Sequence, residues 1–127
     1  MKLRIKGHSL RLRVSRSELD RLMAGNNIEE TIRFAPDPEA FLTYSMGSAT
    51  GISTTTVRYC QHKIAVVLAE HELRIWSETS QVGIYTSVDI GSDEPLELIV
   101  EKDFACLTGS DEENEDTFAN PHAAAVC

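Results

Sequence analysis

The sequence predicts an α+β domain of eight strands and two short helices, folded as a mostly antiparallel sheet or closed into an eight-stranded barrel. Three observations predict it. Apolar and charged residues alternate with period two from Lys2 to Val14 and again in several later segments, the strand period. Two short segments, beginning near Arg16 and Glu70, carry apolar residues at helical spacing instead. The whole pattern then repeats its apolar register at an offset of 54 residues.

Leu3 and Ile5, then Leu10, Leu12 and Val14, alternate with Lys2, Arg4, Lys6, Arg11 and Arg13. They predict two strands joined by a turn at Gly7-His8-Ser9. Ser15 and Glu18 have capping-box spacing, in which the hydroxyl accepts from the third helical amide and the carboxylate from the Ser15 amide. A helix over 16–24 follows, burying Leu19, Leu22 and Met23, with Gly25 suited to the positive φ beyond a helix end. Strands are predicted over 28–34 and 41–46, separated by Pro36-Asp37-Pro38. Gly47-Ser48-Ala49-Thr50-Gly51 reads as a flexible connector. Residues 54–59 and 63–68 are the next strands, 70–77 a helix around Leu73 and Trp76, and 82–88 and 96–100 the last two strands.

The 54-residue offset pairs Leu3 with Val57, Ile5 with Tyr59, Leu10 with Ile64, Leu12 with Val66 and Val14 with Leu68. It continues through Leu19 with Leu73, Leu22 with Trp76, Ile28 with Val82, Leu42 with Leu96, Tyr44 with Leu98 and Met46 with Val100. Only five pairs are identical (Arg4/Arg58, His8/His62, Glu18/Glu72, Leu19/Leu73 and Leu42/Leu96), which is chance level. The apolar register is the stronger signal, because a one-residue slip would turn a strand's wrong face inward. A ββαββ unit used twice, over 1–47 and 55–101, is the expectation. The core should centre on Leu12, Val14, Leu19, Leu22, Val66, Leu68, Leu73, Trp76, Leu98 and Val100.

The chain has 127 residues, 42% of them hydrophobic, enough for one domain with a real core. That domain is read as 1–107, followed by an acidic tail over 108–127 anchored by Phe118. No apolar stretch approaches the roughly 18–20 residues that span a bilayer. The alternating start lacks the continuous apolar stretch of a secretion signal, so cytoplasmic residence is the expectation. Three cysteines without a CxxC pair suit reduced thiols.

Charge is distributed unevenly. Residues 1–33 hold eight basic and four acidic side chains, whereas the remaining 94 hold four basic and sixteen acidic. The net charge of −8 argues against general nucleic-acid binding. Lys2, Arg4, Lys6, Arg11, Arg13, Arg33 and Arg58 are candidates for one cationic face able to bind phosphate or carboxylate. A solvated sheet face that discourages edge-to-edge pairing is the plainer account. The acidic tail, from Asp111 to Asp116, offers opposite charge to the basic strands.

Glu97, Glu101 and Asp103 share a strand parity suited to a divalent cation, although no EF-hand spacing is present. Cys106, His122 and Cys127 are ligand types suited to zinc, but their spacings match no standard structural zinc pattern. A solvated acidic strand end is the plainer reading, and no cofactor is otherwise called for. His8 and His62 fall in matching turns. The sequence contains no GxSxG, HExxH, P-loop or dinucleotide fingerprint.

The string Glu101-Lys102-Asp103-Phe104-Ala105-Cys106-Leu107, with the opening Met1-Lys2-Leu3-Arg4-Ile5-Lys6-Gly7 and the closing Phe118-Ala119-Asn120-Pro121, resembles a family of small uncharacterised bacterial proteins. Ala119 stands where that family's pattern has proline. The resemblance implies no activity. A weaker, architectural resemblance is to the triphosphate-tunnel (CYTH-like) enzymes, and it implies an eight-stranded barrel hydrolysing or cyclising nucleoside triphosphates with metal ions. Their alternating Glu-x-Glu-x-Lys strand is missing, since the first strand offers Lys2, Arg4 and Lys6. The leading expectation is a binding or interaction domain for an anionic small molecule or protein. The alternative is metal-dependent phosphoryl transfer inside a tunnel.

Overall fold

The structure is a computed structural model that describes residues 1–105 and 115–119; Cys106, Asp111, Glu112, Glu113, His122 and Cys127 lie outside them. In chain order the elements are β1 (Lys2–Lys6), β2 (Ser9–Val14), α1 (Arg16–Met23), β3 (Ile28–Arg33), β4 (Phe41–Ala49), β5 (Thr56–Cys60), β6 (Lys63–Ala69), α2 (Glu70–Glu78), β7 (Gly83–Val88) and β8 (Leu96–Lys102). The strands form two four-stranded sheets, β1-β2-β8-β7 (sheet 1) and β3-β4-β6-β5 (sheet 2). Each joins two antiparallel hairpins through a central parallel pair, β2 with β8 and β4 with β6. The fold is α+β, and the described strands close no barrel.

Inward-facing residues of both sheets meet α1 and α2 in one core. All ten residues expected at its centre are buried, with Leu12, Val14, Leu68, Trp76, Leu98 and Val100 fully so. Met23 is the exception on α1: it lies on the last turn and is exposed.

Helix α1 begins with the predicted capping box, Ser15 and Glu18 bonding each other's backbone amides. It ends in a paired closure, Gly25 N–H to the Leu22 carbonyl and Asn26 N–H to that of Arg21, each at 3.0 Å. Gly25 stands at φ +87°, the left-handed conformation this closure requires.

A shift of 54 residues carries the β2–β8 register (Leu10 with Leu98, Leu12 with Val100) onto the β6–β4 register (Ile64 with Tyr44, Val66 with Met46). The hairpins after the helices need a larger shift. Ile28 pairs with Met46, and the matching partner of Val100 is Ile84, so β3 and β7 are related by 56 residues. The expected match of Ile28 with Val82 is therefore corrected to Ile84, which is buried while Val82 is exposed. Two extra residues preserve strand parity, so the same face still turns inward.

The equivalence reaches into the polar contacts. Met1 donates its ammonium to Glu18 at 2.5 Å, and 54 residues on, Thr55 donates its amide to Glu72 at 2.7 Å. Ala69 occupies the position of Ser15 and has no capping oxygen, and its amide bonds the Thr55 hydroxyl instead at 3.1 Å. The Glu18/Glu72 identity thus has one physical role at both positions, pinning the start of a hairpin to the first turn of a helix.

Residues 47–49, expected in a connector, continue β4 because Gly47, Ser48 and Ala49 pair in parallel with Val67, Leu68 and Ala69. Nothing local in the sequence signals that distant partner.

Candidate functional site

On β1 and β2 the cross-strand register sets Lys2 opposite Arg13 and Arg4 opposite Arg11, with Lys6 opposite Ser9. Register partners share a face, so five cations line the outward side of sheet 1, away from Leu3, Leu10, Leu12 and Val14. Two successive cross-strand pairs are therefore cation against cation, an arrangement that destabilises a sheet. The β8 and β7 half of the same face carries the other sign: Glu97 and Glu101, with Tyr85 and Ser87 beside them.

Compensation of the five cations is uneven. Lys2 Nζ meets Asp103 at 3.0 Å, and Arg11 Nε lies 3.2 Å from Glu101 Oε1. That oxygen is buried and receives no hydrogen bond, so Arg11 serves it as a charge partner only. Tyr85 donates its hydroxyl to Glu101 Oε2 at 3.1 Å; burial, then that bond, pushes the Tyr85 phenol above its ordinary pKa. Ser87 Oγ faces both oxygens of Glu97, at 2.8 and 2.9 Å. Arg4, Lys6 and Arg13 take part in no ion pair among the described residues.

Arg33 and Arg58 do not join this face. Arg33 ends β3 in sheet 2, its guanidinium 5.7 Å from the Phe41 ring centre, and Arg58 lies on β5 at that sheet's other edge. Strand parity had given all seven the same kind of position, but the α1 crossover sends β3 into the second sheet.

Glu97, Glu101 and Asp103 share the parity expected of them but not a common point. Successive same-face residues stand about 6.6 Å apart along a strand, so Glu97 and Glu101 are separated by about 13 Å. Each is engaged by a different neighbour, and no group of three or more metal-ligating side chains occurs among the described residues. Cys60 is a free, exposed cysteine on β5. His62 lies 3.1 Å from Glu39 and packs on the Phe41 ring; it and Gln61 both have positive φ, at 65° and 49°.

The described part of the C-terminal segment docks at the start of α1. The Arg16 amide donates to the Asp116 carbonyl at 3.0 Å, and the Ser17 amide to the Asp116 carboxylate at 3.0 Å, joined there by the Ser17 hydroxyl. A carboxylate at a helix N-terminus is well placed for the unpaired amides there. The Ser17 hydroxyl bond leads in holding the Asp116 carboxyl below its usual range. Phe118 bridges to Phe104 in strand fashion, its ring 6.0 Å from the Arg16 guanidinium and 5.5 Å from Lys102 Nζ. Lys102 is buried, which pushes its pKa down, and it donates to the Thr79 carbonyl at 2.9 Å. Sequence reasoning missed Asp116 as a capping group and Lys102 as a buried base, because both partners are remote in sequence.

The tunnel arrangement does not form. The described strands make two separate sheets, and the clustered cations sit on the outward face of one of them, not in a lumen.

Such a fold and face define a small two-sheet α+β domain with a cationic outer surface. Over residues 1–122 the chain matches the model of a family of unknown function (DUF7009), and it belongs to that family. No curated protein and no solved structure matches it.

Proposed function

We propose that the protein is a cytoplasmic binding domain whose sheet 1 face, formed by Lys2, Arg4, Lys6, Arg11 and Arg13, holds an anionic small molecule or an acidic protein partner. The observation that carries this reading is the stacking of like charges at Lys2/Arg13 and Arg4/Arg11 while Arg4, Lys6 and Arg13 have no carboxylate among the described residues. Folding alone does not favour that arrangement, so a ligand that relieves the repulsion is its natural complement. Arginine suits phosphate and carboxylate through paired donors, and a flat open face suits an extended anion. Lys2 and Arg11 already hold carboxylates, which leaves Arg4, Lys6 and Arg13 as the cations open to a ligand.

The repeated register and the matched Met1–Glu18 and Thr55–Glu72 anchors support a further element of the proposal, that the two halves descend from one duplicated ββαββ unit. Only the first copy acquired the cationic face: Lys2, Lys6, Arg11 and Arg13 stand where the second has Thr56, Cys60, Ala65 and Val67. The test is retention on a polyphosphate resin along a salt gradient. Wild type should elute later than Arg4→Gln/Lys6→Gln/Arg13→Gln, and that variant, relieved of the like-charge pairs, should be at least as thermally stable as the wild type. Equal elution of the two proteins contradicts the proposal.

A further inference from the structure

Strand β3 is an edge strand whose charges are of both signs and so can pair with those of a second copy. Among the described residues only β4 pairs with it, and five of its six residues are exposed. Natural edges are blunted by charged side chains, lysine above all, by proline, by bulges or by shortness; the charges of β3, Glu29, Glu30 and Arg33, are of both signs. Edge strand β1 has Lys2, Arg4 and Lys6, and edge strand β5 is five residues long with Arg58 near its middle. β3, with the sequence Ile28-Glu29-Glu30-Thr31-Ile32-Arg33, has neither lysine nor proline, and it runs on into Phe34, whose amide still donates to the Ala40 carbonyl at 2.8 Å. Ile32 and Phe34, at the end of this edge, are 48% and 67% exposed.

The direction of the free backbone groups fixes how a partner strand would pair. In an extended strand, successive amides point to opposite sides. Because Phe34 donates inward to β4, the amides and carbonyls of Arg33, Thr31 and Glu29 point outward. The close approach of the Thr31 and Thr43 hydroxyls, 2.8 Å, fits the same phase, since side chains come nearer at the non-hydrogen-bonded positions.

We infer that β3 is the contact strand of a symmetric dimer, pairing antiparallel with β3 of a second copy about a two-fold axis at Thr31. In this register Thr31 faces its own equivalent, and Glu29 of each copy faces Arg33 of the other. All of these are residues whose backbone groups point outward, so each pair exchanges two hydrogen bonds. Glu30 then lies opposite Ile32, and Phe34 covers Ile28 at the margin. Moving the axis to Glu30 sets two glutamates opposite each other and loses the Glu29–Arg33 match, so charge selects the Thr31 register. A two-fold axis makes the contact self-complementary and closed, joining the two copies of sheet 2 into one eight-stranded sheet. Glu29 keeps an exposed contact with Lys63 at 3.2 Å, and Arg33 its Phe41 ring, neither of which blocks the edge. The cationic face of sheet 1 takes no part.

Sedimentation equilibrium of the full chain over a concentration series tests this. Wild type should show a monomer–dimer equilibrium. Thr31→Pro removes an outward amide without touching a β3–β4 backbone hydrogen bond, losing only the Thr31–Thr43 hydroxyl contact, and it should be monomeric with its fold intact by circular dichroism. Glu29→Arg and Arg33→Glu singly should each weaken the dimer at least tenfold, and the two combined in one chain should restore it. A wild type that remains monomeric throughout the series overturns the proposal, as does a double variant that associates no better than the singles.

Discussion

Replacing Glu72 with alanine should destabilise the domain far more than its half-exposed position on α2 suggests. Its carboxylate accepts the Thr55 amide at 2.7 Å, and Thr55 is almost wholly buried while its hydroxyl accepts the Ala69 amide at the start of the helix. Truncation strands a buried donor, worth about 1–3 kcal/mol. It also removes an acidic group from the first helical turn, worth about 0.3–1 kcal/mol. Together these predict a loss of roughly 2–3 kcal/mol, or a Tm lower by roughly 6–15 °C. Glu70→Ala is the control, because Glu70 shares the first turn but only meets Arg74 on the surface at 3.1 Å. An exposed pair at that spacing contributes about 0.3–0.5 kcal/mol. Urea titrations of the two variants read the difference as a shift in midpoint at constant slope. Equal midpoints for Glu72→Ala and Glu70→Ala would refute the anchor.

Leu12→Ala and Leu68→Ala, both at fully buried positions, should each cost about 2–5 kcal/mol in the same titration. Gly83→Ala should destabilise by about 1–3 kcal/mol, because a Cβ there would stand 2.5 Å from the Val100 backbone carbonyl. Gly47→Ala meets only the Asn27 side chain, which can rotate away, and should be near neutral by comparison. The Glu18 carboxyl would be raised by burial, but hydrogen bonds from the Met1 ammonium and the Ser15 amide outweigh this and hold it below the ordinary range. Its folded pKa is thus the lower one: its stabilisation is complete above the ordinary carboxylate pKa and is lost as pH falls through the lowered folded value. Acid titration of Glu18→Gln by circular dichroism should show a shallower loss of stability on the acid side than wild type.

Most elements were readable in the residues because the inner strands β2, β6 and β8 each bury one face and each helix carries a short apolar stripe. Leu10, Leu12 and Val14 determine the face of β2 whatever lies beside it, and Ser15, Glu18 and Gly25 mark both ends of α1. What strand parity does not encode is which sheet a strand joins. Arg33 and Arg58 therefore looked equivalent to Arg4 and Arg11, yet they stand at the two edges of the other sheet. The parallel pairing of β4 with β6 was equally hidden, so Gly47 to Ala49 read as a connector. The fixed offset missed the two extra residues before β7 because an even insertion preserves parity, and only burial distinguishes Ile84 from Val82. Of the candidate face, the five cations of β1 and β2 were legible from a single hairpin. Their acidic counterparts on β8 required knowing that β8 lies beside β2.

The central claim is that anions bind across β1 and β2 of sheet 1, and residue-resolved amide shifts during titration with short-chain polyphosphate test it most directly. The account predicts that the largest and saturable changes fall on residues 2–6 and 9–14, with sheet 2 unmoved and the changes suppressed in Arg4→Gln/Lys6→Gln/Arg13→Gln. Changes centred on Arg33, Arg58 or the helices, or the same response from the triple variant, would contradict it.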